Sequence, residues 1–298
     1  MIFDRQKRLL ALVDALGGEA GNLDFQKLLF LYCTDIEDTP SYEFVPYKYG
    51  GFSFTSYADK RRLIALGYLD DEERTWRLTS LGRTVATIAT PAREKMESFA
   101  RRHMHLRGDT LVAEAYRRHP YHAIRSEIAS RVLANDARVL LAIQQATPHR
   151  PSPGICTIGY EGLSLEAYLN KMMRAGVSLL CDVRRNPLSR KYGFSKSTLS
   201  KACESLGIAY IHLPELGIAS EERRDLVTLA DYSALFDLYR RKSLPYQTDA
   251  LVQIHQWVAT GQLVALACYE ADPQRCHRQC IATELETRYG PSFHPRQL

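Results

Sequence analysis

No stretch of this 298-residue chain approaches the roughly 20 consecutive apolar residues that a membrane-spanning helix requires, which argues against a membrane partner. The opening residues, Met1-Ile-Phe-Asp-Arg-Gln-Lys-Arg8, lead into an amphipathic stretch and lack the architecture of a secretory signal. A disulfide framework is missing too. The seven cysteines (33, 156, 181, 203, 268, 276 and 280) are odd in number and scattered, the pattern of reduced thiols in a cytoplasmic protein. There is no glycine-rich phosphate loop of the nucleotide-hydrolase type, so ATP-driven chemistry is not expected. Zinc would have to use Cys268, Cys276, His277 and Cys280. Adjacent Cys-His donors and one unpaired Cys-x-x-x-Cys are poor zinc spacing, so neither a metal nor a cofactor is expected.

What is present is ordinary globular composition, 45% hydrophobic and 24% charged, in a chain long enough for more than one core. The positive charge is unevenly placed. Residues 1–90 hold 11 Lys/Arg against 13 Asp/Glu, whereas residues 91–150 hold 11 against 6 and five histidines. A basic middle segment points to an anionic partner, nucleic acid first. A solvated helical face would read the same way.

Residues 5–16 carry apolar side chains at helical spacing and stop at Gly17-Gly18. Asn22 or Asp24 can cap a second helix, an aromatic connection follows Pro40, and Ser53–Leu66 reads as a third helix. Thr75–Thr79 alternates like a strand, and Ser80 opens a further helix. This succession predicts a winged helix-turn-helix over residues 1–90. The segment Trp76-Arg-Leu-Thr-Ser-Leu-Gly-Arg83 resembles the wing and last helix of winged-helix DNA-binding domains. Phe25-Gln-Lys-Leu-Leu-Phe-Leu-Tyr32 is similar to antitoxin-type helical domains. Candidate phosphate contacts are Lys48, Lys60, Arg61, Arg62, Arg74 and Arg77; a docking or dimerisation module is the alternative. Residues 91–150 read as a basic helical connector, broken near Gly108 and at His119-Pro120. Its cluster Arg117-Arg118-His119-Pro-Tyr-His122 suits phosphate and base contacts. Three prolines and a glycine at 148–154 mark the next boundary.

Residues 151–298 alternate strand and helix: strands at 155–159, 177–183, 208–212 and 263–269, helices at 164–175, 197–206, 232–242, 246–260 and 275–289. The pattern predicts an α/β domain with a mostly parallel sheet and flanking helices. Each strand ends in polar groups, where ligands bind in open α/β sheets. Tyr160 and Glu161 follow the first strand, Asp182 and Arg184 the second, His212 the third, and Tyr269, Glu270 and Asp272 the fourth.

Thr157-Ile-Gly-Tyr-Glu-Gly162, Cys181-Asp-Val-Arg-Arg-Asn-Pro-Leu-Ser-Arg190, Gly193-Phe-Ser-Lys196, Tyr210-Ile-His-Leu-Pro-Glu-Leu-Gly217 and Cys268-Tyr-Glu-Ala-Asp-Pro-Gln-Arg-Cys-His-Arg278 resemble the family called Domain of Unknown Function 488. The resemblance implies the same fold and no particular activity.

Asp182 and Glu270 are the leading catalytic candidates, with Glu161 next; a structural Asp182–Arg pair and helix capping by Asp272 are the bland alternatives. Arg184, Arg190, Lys191, Lys196 and Arg278 would form a cationic rim suited to phosphates, His212 and His277 would face the cleft, and Asp272 could position water. Tyr160 and Tyr269 would stack on a base. Cys276 at a helix start could instead be a nucleophile. Carboxylates beside aromatics and cations suit N-glycosidic hydrolysis of a damaged or modified base flipped out of double-stranded DNA, in the setting of repair or of defence against modified DNA. A metal-dependent nuclease and a nucleotide-sensing DNA-binding regulator are the alternatives.

Overall fold

A computed structural model describes residues 2–298, which divide into two compact units, residues 2–147 and 148–298. The N-terminal unit comprises α1 (Asp4–Ala15), β1 (Glu19–Gly21), α2 (Asn22–Asp35), β2 (Val45–Tyr47), β3 (Gly50–Phe52), α3 (Phe54–Ala65), β4 (Thr75–Arg77), α4 (Ser80–Val85), α5 (Thr90–His103), α6 (Gly108–Arg118), α7 (Ala129–Val132) and α8 (Ala137–Ala146). Ser53 caps α3 by accepting from the Ser56 N–H, and Thr79 caps α4 through Gly82. Two short pairings depart from expectation. β4 pairs antiparallel with β1, and the aromatic connection after Pro40 folds into the hairpin β2–β3.

The segment 91–150, expected to stand apart as a connector, is not a spacer. Met96, Phe99, Leu111, Val112 and Tyr116 are buried in the same core as Leu9, Phe25, Leu28, Phe30 and Trp76. The physical reason is amphipathicity: α5 and α6 leave arginines of their last turns exposed and give an apolar stripe to the first helices.

Lys27 on α2 is fully buried, its Nζ donating to the Gly51 carbonyl at 2.9 Å. Burial pushes its pKa down from 10.5 to about 7. Between those values the unfolded chain binds the extra proton, so stability rises with pH through this window, and the full cost is present below about pH 7. Lys27→Met should therefore stabilise this unit by roughly 2 kcal/mol near neutrality, because relief of the buried charge outweighs the lost partner of the Gly51 carbonyl. The gain should shrink as pH rises toward the unfolded lysine pKa. Hydrogen exchange of residues 2–147 measures it, and a gain independent of pH would show that packing, not charge, was responsible.

The C-terminal unit comprises β5 (Gly154–Gly159), α9 (Leu165–Ala175), β6 (Leu179–Asp182), α10 (Lys196–Ser205), β7 (Ala209–His212), α11 (Leu229–Lys242), α12 (Thr248–Ala259), β8 (Leu263–Cys268), α13 (Arg278–Tyr289) and β9 (Arg296–Gln297). It is an α/β fold with one parallel five-stranded sheet in the order β7-β6-β8-β5-β9. Ser164 caps α9, and Gly176, in the left-handed region at φ 73°, ends it. Leu179, Cys181, Val183, Val264 and Leu266 share a core with α11, α12 and α13. Because side chains alternate along a strand, Leu180 and Asp182 belong to the other face. Among the described residues no helix is long and apolar enough to cross a membrane.

Candidate active site

β6 and β8 lie side by side, with Asp182 opposite Ala267. The chain leaves β6 toward β7 on one side and leaves β8 toward β9 on the other. Their carboxyl ends therefore flank a switch point, the place where open α/β sheets bind ligands. A cleft of about 330 Å³ opens there, walled by Tyr160, Arg184, Arg223, Tyr269, Glu270 and His277, with Cys268 among its other lining residues. The close approach of β5 helps to shape it: a Cβ on Gly159 would collide with the Glu270 carbonyl oxygen.

Glu270 is buried at the cleft wall and ion-paired with Arg223. Its second oxygen accepts from the Cys268 thiol at 3.1 Å. Burial, then the neighbouring Cys268, raises the Glu270 pKa above the usual carboxylate value, while Arg223 opposes the rise. Arg223 was invisible in the sequence. It comes from the long segment between β7 and α11, which has no periodicity and no motif to single it out.

Asp182 does not enter the cleft. It is fully buried, and its carboxylate accepts from Arg184 Nε at 2.8 Å and Nη2 at 2.5 Å, from the Arg184 backbone N–H at 3.2 Å, and from the Tyr210 hydroxyl at 2.6 Å. The expected catalytic pairing with Glu270 is thus not brought about. Strand alternation is the cause: Asp182 points with Ala267 to one face, and Cys268 and Glu270 lie toward the other. Arg184 is the link between them. Its Nη1 donates to the Tyr160 hydroxyl at 3.0 Å and the Phe194 carbonyl at 2.9 Å, and its guanidinium lies 5.1 Å from the Tyr160 ring centroid. Burial works against its charge, but the Asp182 hydrogen bonds and charge hold its pKa above the ordinary arginine value.

The other expected site residues sort by geometry. Tyr160 is buried and stacked on Phe194, centroids 4.2 Å apart and 8° from parallel, so one ring face is already taken. Tyr269, 46% exposed, presents its ring to the cleft. Glu161 accepts from the Ala271 N–H at 3.0 Å and fixes the loop after Glu270. Arg278, expected on a cationic rim, is instead buried beneath the loop, donating to the Glu270 and Ala271 carbonyls at 2.5 and 3.0 Å. Asp272 caps the turn Pro273–Arg275 through the Gln274 N–H. His212 Nε2 donates to the Arg184 carbonyl at 2.8 Å, which leaves Nδ1 to accept from Lys196 at 3.3 Å. Arg190 is exposed and is not among the residues that line the cleft.

Below Glu270, Cys268, Cys276 and His277 meet, all buried. A Cys276 hydrogen bond, with help from His277 and Arg223, draws the Cys268 thiol well below its usual range against the effect of burial. Cys276 is pushed the other way, first by burial and then by Cys268. Cys276 packs inward, fully buried.

In the N-terminal unit the candidate phosphate contacts divide in two. Lys60 is a correction: it is buried, 5.0 Å from the Trp76 ring centroid, and donates to Asn22 Oδ1 and the Glu72 carbonyl. Its long stem lies along the third helix's inner side, so its charge serves the fold. Arg77 is held between Glu19 and Glu72, Lys48 lies 3.7 Å from Glu127, and Arg117 and Arg118 pair with Asp136 and Asp35. Arg61, Arg62 and Arg74 are exposed.

No curated protein and no solved structure matches the chain. Residues 164–285, from the cap of α9 into α13 in the C-terminal unit, match the family described as Domain of unknown function DUF488.

Proposed function

We propose that the protein is a DNA-directed hydrolase that cleaves the N-glycosidic bond of a damaged or modified base. The observation that carries this reading is Glu270, an acid with a raised pKa in a cleft that also offers the Tyr269 ring and the guanidinium groups of Arg185 and Arg223. A flipped base would lie against Tyr269, with arginines on the flanking phosphates. Glu270 would stabilise the oxocarbenium-like transition state or take a proton from the attacking water. Asp182 becomes a positioning residue that holds Arg184.

The N-terminal unit is read as a winged helix that brings the chain to DNA. Supporting this are the order α1, β1, α2, α3, β4, the pairing of β1 with β4, and the antiparallel bridge between Leu69 and Leu78 on either side of residues 70–77. Arg61, Arg62 and Arg74 are its phosphate contacts. Replacing all three by alanine should weaken binding to any duplex and flatten the slope of log affinity against log salt by about 2–3. An unchanged slope would remove DNA contact from this face.

The activity itself is tested by incubating the protein with normal and modified duplexes, with and without chelator, and then treating with alkali. Strand breaks that appear only after alkali are the expected result. Chelator-sensitive direct cleavage without alkali would replace the glycosidic reading by a metal-dependent nuclease, and operator binding without either would favour a regulator.

A further inference from the structure

We propose that Cys268, Cys276 and His277 hold one zinc-class divalent cation at the base of the cleft. The assignment concerns the floor of the same cleft, but it rests on donor geometry and not on the glycosidic reading. Two thiol sulfurs and one imidazole nitrogen lie within 4.8 Å of one another, and all three residues are buried. Cys268 Sγ stands 3.8 Å from His277 Nδ1, close to the about 3.6 Å separation of sulfur and nitrogen around tetrahedral zinc.

The histidine is set for the role. Its Nε2 lies 3.1 Å from the Val183 carbonyl, which can only accept, so Nε2 carries the proton and Nδ1 turns its lone pair toward the thiols. A backbone carbonyl fixing the tautomer from behind is the arrangement found around metal-bound imidazoles. The donors also sit on firm supports. Cys268 ends the central strand β8, and Cys276 and His277 lie between the turn Pro273–Arg275 and α13.

Sequence spacing hid this because neighbouring side chains in extended chain point apart. Here Cys276 is extended (φ −132°, ψ 130°) while His277 is helical (φ −64°, ψ −16°), and the bend between them turns both inward. Cys280, the fourth donor the spacing had suggested, is held elsewhere by Arg240 Nη1 at 3.6 Å. A simple thiol–imidazole dyad would need only Cys268 and His277. It leaves unexplained the second buried thiol brought against both.

Three protein donors leave one coordination position, as in catalytic rather than structural zinc sites. Cys268 and His277 line the cleft, and Glu270 is one hydrogen bond from Cys268, so that position adjoins the acid proposed for chemistry. Zinc deaminases of nucleobases likewise combine a three-donor Cys/His set with a glutamate that is not a ligand.

The test uses the full chain, incubated with zinc, desalted and assayed for metal, and separately loaded with cobalt(II). About one zinc per chain is expected, with retention about tenfold lower in Cys268→Ser and in His277→Ala, and unchanged in Cys280→Ser. Should the ligand variants misfold, wild type decides: cobalt should give the sulfur-to-cobalt charge-transfer band and the intense visible bands of a tetrahedral site. Zinc should also protect Cys268 from iodoacetamide. Wild type that retains no zinc, shows no thiolate–cobalt band and is alkylated at Cys268 equally with and without zinc would overturn the site in favour of a metal-free dyad. None of these readouts involves DNA, so failure of the glycosidic reading leaves them intact.

Discussion

Glu270→Gln should lower base release by about 10²–10⁴-fold while leaving DNA affinity unchanged, measured at temperatures where the unit stays folded despite the lost ion pair with Arg223. Glutamine keeps the shape of the side chain and can still accept from Cys268, but it can neither take a proton nor carry the charge that balances Arg223. A pH profile adds a second readout. Burial raises the Glu270 pKa, so activity that needs the carboxylate should fall as pH drops through a value above the ordinary glutamate range. Arg223→Ala removes the one influence on Glu270 that comes from a neighbouring cation, and should move that acid limb to still higher pH. A Glu270→Gln protein with wild-type single-turnover rates would remove this residue from the chemistry.

Breaking the Asp182–Arg184 pair should have the largest effect on stability. Asp182 is fully buried and Arg184 nearly so, and four hydrogen bonds converge on the carboxylate. Removal of one partner leaves an uncompensated buried charge, a loss of about 3–5 kcal/mol. Arg184→Met should therefore destabilise the C-terminal unit by this amount and disorder Tyr160, whose hydroxyl loses its donor. Asp182→Asn should destabilise as well, yet retain activity at temperatures where the unit is folded. Denaturant unfolding with single-turnover assays at low temperature separates the two roles. If Asp182→Asn is as stable as wild type but inactive, Asp182 is a catalytic residue after all.

Much of the fold was legible because it is written in periods. Ser164 and Gly176 bracket α9 where capping chemistry places them, and the apolar runs ending at Gly159, Asp182, His212 and Cys268 are the strands β5 to β8. What escaped was short or non-local. β1 and β9 are three and two residues long, too short to show a period, and exist through partners far away in the chain. For the site, strand ends located the cleft but not the direction of its side chains. Asp182 and Glu270 both follow apolar strands and read alike, yet register and alternation send them to different faces. Arg278 and Lys60 looked like surface cations because sequence carries no record of a buried carbonyl awaiting a donor. Arg223 had no local signal at all.

The order of strands also bears on how the site comes into being. β5 and β6 follow each other in the chain, separated by one helix, yet they do not pair; β8, about a hundred residues later, fills the gap between them. Until it arrives, two strands in the middle of the sheet offer open edges, with the aggregation hazard that such edges carry. Parallel pairing over so long a separation is also slow. The segment that delivers Cys268 and Glu270 is thus the last of the sheet's interior strands in chain order, and the cleft can form only once that segment sits between β6 and β5.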